Sequence, residues 1–458
     1  MYFKQIAVPG LGCFSYVIGC PGAKAMAVVD PKRDIQDYLD ISRDEGMRIT
    51  HVIDTHVHAD HVSGAHELRS VTGAEICMYA TSPVSFRFNK LSEGQRIEIG
   101  NARMEILHTP GHTPDALSVL VTDLSRSEEP WMLLTGDVLF VGDIGRPDLA
   151  GADVIDQQVH NLYNTLYVKF ANYPDHLEIF PAHGMGSLCG KGMSSKTSST
   201  LGFERKHNPM LRYESFESFH AAMTGEYPTR PKSFSHIIGT NMEGAPLLEC
   251  CPLEKALTCE QFEQLVADGA LIIDTRDTAA FGGFHIPGSL NIGFEKQLAN
   301  WVGMVVRPDA DLLLVVDNRE RYDDMVTELH RIGYDRIYGY LSGGISAWLL
   351  SGRDLDKLSQ VSARELHALS GPQGPRLIDV RTPGELAGGH ILGATHVPLP
   401  QLLDHGLDQP KDADIVLYCG SGYRSNIAAS ALKQKGFSNT HSLAGGVLAW
   451  TRAGFPLS

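Results

Sequence analysis

The chain has 458 residues, 43% of them hydrophobic, and a formal net charge of −15, which leaves room for about three domains at the usual ~150 residues each. Such an acidic balance argues against nucleic acid or an anionic membrane surface as the main partner, because both need clustered Lys and Arg; single basic residues still hold small anions. No apolar run approaches the ~18 residues that span a bilayer, and Met1-Tyr2-Phe3-Lys4-Gln5 lacks the features of a secretory signal, so a cytoplasmic location is expected.

The eight cysteines are few for this length and show no CxxC spacing, so neither a disulfide framework nor a thiolate zinc site is suggested. In chain order, the first dense chemical signal is Thr55-His56-Val57-His58-Ala59-Asp60-His61, which follows the strand-like His51-Val52-Ile53. Three imidazoles and a carboxylate so close together are poorly explained by packing, since buried neutral histidines each need a partner. His112 in Thr109-Pro-Gly-His112-Thr, Asp137 after the apolar run Leu133-Leu134, and His183 in Pro181-Ala-His183-Gly extend the set. Taken singly, each of these three is equally a loop residue capping backbone. Imidazole and carboxylate without thiolate suit zinc and iron alike, so residue types alone do not choose the metal.

The order and spacing of these residues resemble the metallo-β-lactamase superfamily over about residues 1–205. The resemblance implies an αββα sandwich that gathers its ligands on loops at one sheet edge. Gly142-Asp143-Ile144-Gly145-Arg146-Pro147-Asp148 is similar to the persulfide dioxygenase branch. That implies one Fe(II) per chain on His56, His112 and Asp137, with His58, Asp60, His61 and His183 as an outer shell. It also implies O2 and a low-molecular-weight persulfide (of glutathione, coenzyme A or a similar thiol) as substrates, sulfite as product and a homo-oligomeric assembly. A rival stays open: a glyoxalase II-like thioester hydrolase uses the full His/Asp set for two metal ions, zinc among them, and HxHxDH does not exclude it.

Arg146 is a candidate to grip the persulfide's organic group, against the plainer role of an ion pair. The Gly-rich loop His183-Gly-Met-Gly-Ser187-Leu-Cys189-Gly-Lys191 is similar to the loop of dioxygenases fused to rhodanese-like domains. There Lys191 is expected to lower the pKa of Cys189 and make it a persulfide carrier; inert packing is the alternative.

Asn241 to Pro252 is rich in Gly and Pro and reads as a linker, which sets the first domain at 1–245. Beyond it the chain repeats at a spacing of about 105 residues: Leu271-Ile-Ile-Asp274-Thr-Arg276 recurs as Leu377-Ile-Asp379-Val-Arg381, and Leu341-Ser-Gly-Gly-Ile-Ser-Ala-Trp348 as Leu443-Ala-Gly-Gly-Val-Leu-Ala-Trp450. Apolar runs such as Leu312 to Val316 and Ile415 to Tyr418 alternate with helical stretches, which predicts two small α/β domains with parallel sheets at 255–353 and 358–458.

In the second copy, Cys419-Gly-Ser-Gly-Tyr-Arg424-Ser425 places a thiol at a strand end, in a Gly-rich turn before a helix, where backbone N–H groups stabilise an anionic sulfur. This matches the rhodanese active-site loop. The resemblance implies Cys419 as sulfur-transfer nucleophile and Arg424 as a substrate-binding residue, with thiosulfate made or consumed. Phosphatases of this fold use a C-x5-R loop, one residue longer than the C-x4-R here. Counting back from the closing segment puts Asp317 at the cysteine position of the first copy, in the charged loop Asp317-Asn-Arg319-Glu-Arg321. That copy is expected to be catalytically inactive and structural, with an anion site at Arg319 and Arg321 as the alternative.

Overall fold

The computed structural model describes residues 1–8, 10–151, 153–190, 192–225, 227, 229–248, 255–371 and 373–458. The chain divides into two compact units, the first ending at Glu249 apart from one short stretch. Among the described residues no helix is long and apolar enough to cross a membrane.

The first unit holds two six-stranded sheets. Strands Cys13–Cys20, Ala25–Val29 and Arg48–Ile53 form the middle of one, and Ala102–His108, Leu117–Asp123 and Met132–Gly136 the middle of the other. Side chains alternate across each strand. Tyr16, Ile18, Val29 and Ile53 meet Met104, Ile106, Val119, Val121 and Leu134 in a core between the sheets. The opposite faces are also covered: Val17, Met26, Val28 and Val52 pack with Tyr38, Ile41 and Leu68, while Leu107, Leu120 and Leu133 pack with Val159, Leu162 and Phe219. With both faces buried, the strands read as near-continuous apolar runs, and the expected αββα sandwich results. The helix Lys232–Glu243 runs into the stretch read as linker, so that segment begins later than the sequence indicated; residues 249–252 of it lie outside the described residues.

The second unit contains two five-stranded parallel sheets, as the repeat predicts. In the first copy Leu312–Val315 pairs with Leu271–Asp274, and in the second Ile415–Tyr418 pairs with Arg376–Asp379. Each copy buries its repeated Asp-x-Arg as an ion pair: Arg276 Nη2 donates to Asp274 at 2.6 Å and Arg381 Nη2 to Asp379 at 2.6 Å. The register also corrects the alignment of the two loops. Asp274 lies opposite Val315 as Asp379 lies opposite Tyr418, so Val316, not Asp317, occupies the place of Cys419. Counting from the closing segment missed this because the first copy has one more residue between strand and closing segment. No thiol stands at either position.

Candidate metal centre and sulfur-transfer cradle

Each candidate ligand of the first unit follows the end of a buried strand: His56 after Arg48–Ile53, His112 after Ala102–His108, Asp137 after Met132–Gly136 and His183 after Glu178–Pro181. The sandwich brings these loops together, and all four side chains are buried. His112 Nε2 lies 3.4 Å and His56 Nε2 3.9 Å from Asp137 Oδ2, a buried oxygen with no hydrogen-bond partner. An unpaired buried carboxylate oxygen is costly. Two ligand atoms each roughly 2.1 Å from an ion sit roughly 3.0–3.4 Å apart; His112 and Asp137 have that spacing and His56 stands somewhat farther off, so the trio fits a metal ion in donor type and in its orphaned acceptor, with a small inward shift needed at His56.

The other nitrogen of each imidazole is fixed from behind. His112 Nδ1 is 2.8 Å from the Arg146 carbonyl and His56 Nδ1 is 3.0 Å from Thr55 Oγ1, which itself donates to Asp30 Oδ2 at 2.9 Å. Such contacts set the tautomer and aim Nε2 at the site. Burial, which outweighs the nearby Asp137 carboxylate, pushes both imidazoles below their ordinary pKa and keeps them in the neutral, metal-binding form.

His183 is held differently. Its Nδ1 is 2.5 Å from Asp137 Oδ1 and its Nε2 is 2.6 Å from Asp60 Oδ2, spacings of hydrogen bonds that leave no room for an ion between. Burial alone would lower its pKa, but Asp137 and Asp60 raise it well above the usual value, so it is an imidazolium clamped by two carboxylates. His61 joins through Asp60 at 3.2 Å, and Cys13 donates to Asp60 Oδ2 at 3.1 Å, so Cys13, Asp60, His61 and His183 make a second buried cluster of possible ligands. His58 Nε2 is 3.1 Å from Asp30 Oδ1.

In the second copy of the second unit, Cys419 is 1% exposed at the end of Ile415–Tyr418. Gly422 N donates to its Sγ at 3.2 Å, and Ser425 Oγ lies 3.8 Å away. Helix Tyr423–Gln434 begins immediately afterwards, with Gly422 at φ +102° as its cap. The repeated closing segment supports this loop from below: Val447 N donates to Cys419 O at 2.9 Å and Leu448 N to Gly420 O at 3.0 Å.

A metallo-beta-lactamase superfamily model matches residues 8–183, and a rhodanese-like domain model matches 258–351 and again 362–453. A metallo-beta-lactamase crystal structure from Staphylococcus aureus is 30% identical, with a TM-score of 0.67 over 74% of this chain and 98% of that one. The chain belongs to the metallo-β-lactamase superfamily and carries two rhodanese-like domains. Its metallo-β-lactamase part is also similar to the mitochondrial persulfide dioxygenase ETHE1 of Bos taurus, 28% identical over 247 residues that cover 52% of this chain and 87% of that protein. A sulfurtransferase of Allochromatium vinosum is 42% identical over 81 residues, 18% of this chain and 76% of that protein.

Within the metallo-β-lactamase domain two expectations meet a different geometry. Arg146, 3% exposed, forks onto the half-buried Asp148 at 2.7 and 2.6 Å and lies 5.0 Å from the Tyr227 ring, so its guanidinium is engaged in an ion pair, while its carbonyl orients His112. Cys189 does sit beside the centre, grouped with Asp137 and His183. Its thiol is not acidified, however: burial pushes the pKa well above the ordinary value, against a lesser pull from His183. Lys191 lies outside the described residues. Asp30 escaped the sequence reading although it holds both Thr55 and His58; its signal was a carboxylate ending the apolar strand Ala25–Val29, and its φ of +49° is the strain of that posture. Of the loop residues in the first rhodanese-like domain, Arg319 pairs with Asp323 at 2.9 Å and Arg321 lies 4.0 Å over the Phe294 ring.

Proposed function

We propose that this chain oxidises a low-molecular-weight persulfide with O2 and passes sulfane sulfur through Cys419, as part of sulfide detoxification in the cytoplasm. The observation that carries the reading is Asp137 Oδ2, buried, unpartnered and faced by the Nε2 atoms of two neutral histidines. Two imidazoles and one carboxylate form the facial set of non-haem ferrous oxygenases, and similarity to a persulfide dioxygenase spans this half of the chain. His56, His112 and Asp137 would hold one Fe(II), which when bound supplies the redox chemistry toward O2. Around it, Arg146 and Thr55 orient the imidazoles, and His183 keeps a proton on each ring nitrogen beside Asp137 and Asp60. The overall change balances as RSSH + O2 + H2O to RSH + SO3²⁻ + 2H⁺.

In the second rhodanese-like domain, the Cys419 thiolate would accept the outer sulfur of a persulfide and yield it to sulfite as thiosulfate. The Gly422 N–H and the helix start stabilise the charge on sulfur in both forms. The test is aerobic turnover of glutathione persulfide by the iron-loaded chain and its Cys419→Ser variant. Consumption of O2 by both, with thiosulfate from the parent and sulfite from the variant, is expected. Identical products would remove Cys419 from the reaction. Two zinc ions per chain with hydrolysis of an acylated thiol would put a glyoxalase II-like hydrolase in its place.

A further inference from the structure

Arg424 is the one charged side chain of the loop Cys419-Gly-Ser-Gly-Tyr-Arg424, and it is not presented as a bare cation. Its Nη1 donates to Glu385 Oε2 at 2.7 Å and its Nη2 to Glu385 Oε1 at 2.6 Å, a two-pronged pair of the strongest geometry available to these groups. Glu385 is held from a second side as well: it closes the capping box of helix Pro383–Leu386, where Oε2 accepts from Thr382 N at 3.0 Å and Thr382 Oγ1 at 2.9 Å. Tied at both ends, it cannot swing away to release the guanidinium without uncapping that helix. Arg424 in turn pushes the Glu385 carboxyl down to about 2, so the pair is charged throughout the physiological range.

The pair lies against the cradle itself. A Cβ built on Gly420, the residue after Cys419, would be 3.6 Å from Arg424 Nη2 and 3.8 Å from Glu385 Oε1. Gly420, Ser421, Gly422 and Tyr423 add no charge. The rim beside the nucleophile therefore carries one positive and one negative group: Arg424 is within reach of the Cys419 sulfur, and Glu385 offsets much of the charge with which it would favour an anion there.

Resting on the sulfur-transfer reading of Cys419, we propose that Glu385 is a specificity-determining residue: by neutralising Arg424 at the cradle rim, it selects a persulfide over thiosulfate as the sulfur donor. With a persulfide, the Cys419 thiolate attacks the outer sulfur of RS–SH, the RS–S bond breaks, and the pair leaves on the thiol: Cys–S⁻ + RS–SH gives Cys–S–SH + RS⁻. The attacked group is neutral or singly charged. With thiosulfate, Cys–S⁻ + S–SO3²⁻ gives Cys–S–S⁻ + SO3²⁻, and a dianion must enter and leave beside a thiolate. A net positive rim would favour that encounter, and the neutral one does not.

The test measures, anaerobically on the full chain, kcat/KM for loading Cys419 from glutathione persulfide and from thiosulfate, read as the mass gain of one sulfur atom. The wild type is expected to prefer the persulfide. Glu385→Gln keeps the capping box, which accepts Gln as well as Glu, but frees the Arg424 charge. The donor ratio should then move about tenfold toward thiosulfate, as expected for exposing one charge near a dianion. In Glu385→Gln/Arg424→Gln the released charge is gone, and the ratio should return to within about twofold of wild type; mere loosening of the loop would not be undone in this way. A wild-type preference for thiosulfate, an unchanged ratio in Glu385→Gln, or a double variant that keeps the shifted ratio overturns the proposal. If neither donor loads Cys419 in any of the proteins, the sulfur-transfer reading falls, and this proposal with it.

Discussion

The hydroxyl of Tyr423, four residues after Cys419, donates to the carbonyl of Gly293 in the preceding rhodanese-like domain at 2.9 Å. Two more bonds join the same surfaces: Asn426 Nδ2 donates to Asn291 Oδ1, and the Asn291 N–H donates to Ser430 Oγ at 3.2 Å. The helix that follows the cysteine loop is thus seated on the copy whose own loop has no cysteine. These bonds set the first copy directly against the element that carries the cradle of the second.

Tyr423→Phe should therefore cost about 1–2 kcal/mol of stability in the second unit, the usual effect of stranding a buried carbonyl. It should also slow sulfur loading of Cys419 while O2 uptake by the first unit stays at the parent rate. Urea unfolding and the two rate assays check this together. Equal stability and equal loading would show that the contact does not position the loop.

How much of this could be read from residues alone follows from where information sits in a chain. The HxHxDH segment and the cysteine loop were legible because they are dense, follow apolar strand runs and consist of residue types that packing does not call for. The helper role of Arg146 was not, because it acts through a carbonyl that every residue possesses. Asp30 was missed because it reaches Thr55 and His58 across the gap between neighbouring strands rather than along the sequence. Val316 was displaced by Asp317 in the alignment because a single extra residue after a strand leaves no mark until the register is known. The raised pKa of Cys189 depends on burial, which a Gly-rich loop sequence did not foretell.

The Gly-Gly pair of the closing segment differs in consequence between the copies. At Gly446, φ is +54° and a Cβ would fall 2.3 Å from the Cys419 carbonyl and 2.7 Å from Gly420 C; at Gly344, φ is +59° but the nearest atom, the Val316 carbonyl, is 3.2 Å away. Gly344→Ala should cost about 1–2 kcal/mol from the left-handed backbone. Gly446→Ala carries the same strain and must also displace the cradle, so Cys419 loading should fall by about 100-fold, since misplacing a reacting group by ~1 Å has effects of that size. Similar loading rates in the two variants would contradict this.

At Gly145, a Cβ would meet the Asp137 carbonyl at 1.8 Å and His112 Nδ1 at 3.2 Å. Gly145→Ala must push both candidate ligands while changing none of them. Iron bound per chain, measured by elemental analysis after loading and gel filtration, should drop by about 10-fold or more, in the range seen when ligand-orienting contacts are lost. Cys419 loading should be untouched. Full iron content in the variant would place the metal away from Asp137 and His112.

His66 offers a pH test remote from either reaction. In helix Ala65–Thr72 its ring packs edge-on against Phe86 at 4.5 Å, and Arg69 donates to Nδ1 at 3.0 Å. Burial first, and then Arg69, lower its pKa to about 4. The unfolded chain, with an ordinary histidine near 6.5, therefore binds the proton more readily than the folded one, and stability falls as pH drops from about 6.5 toward 4. Between pH 8 and pH 5 this group, only partly buried and so partly screened by solvent, should remove about 1 kcal/mol from the first unit, less than the roughly 1.4 kcal/mol per pH unit of a fully buried group would give. His66→Gln keeps an acceptor for Arg69 and cannot titrate. Its stability should fall less than the parent's over that range by the same amount, whatever its offset at pH 8, and parallel losses in urea unfolding of the two proteins would show that His66 titrates normally in the fold.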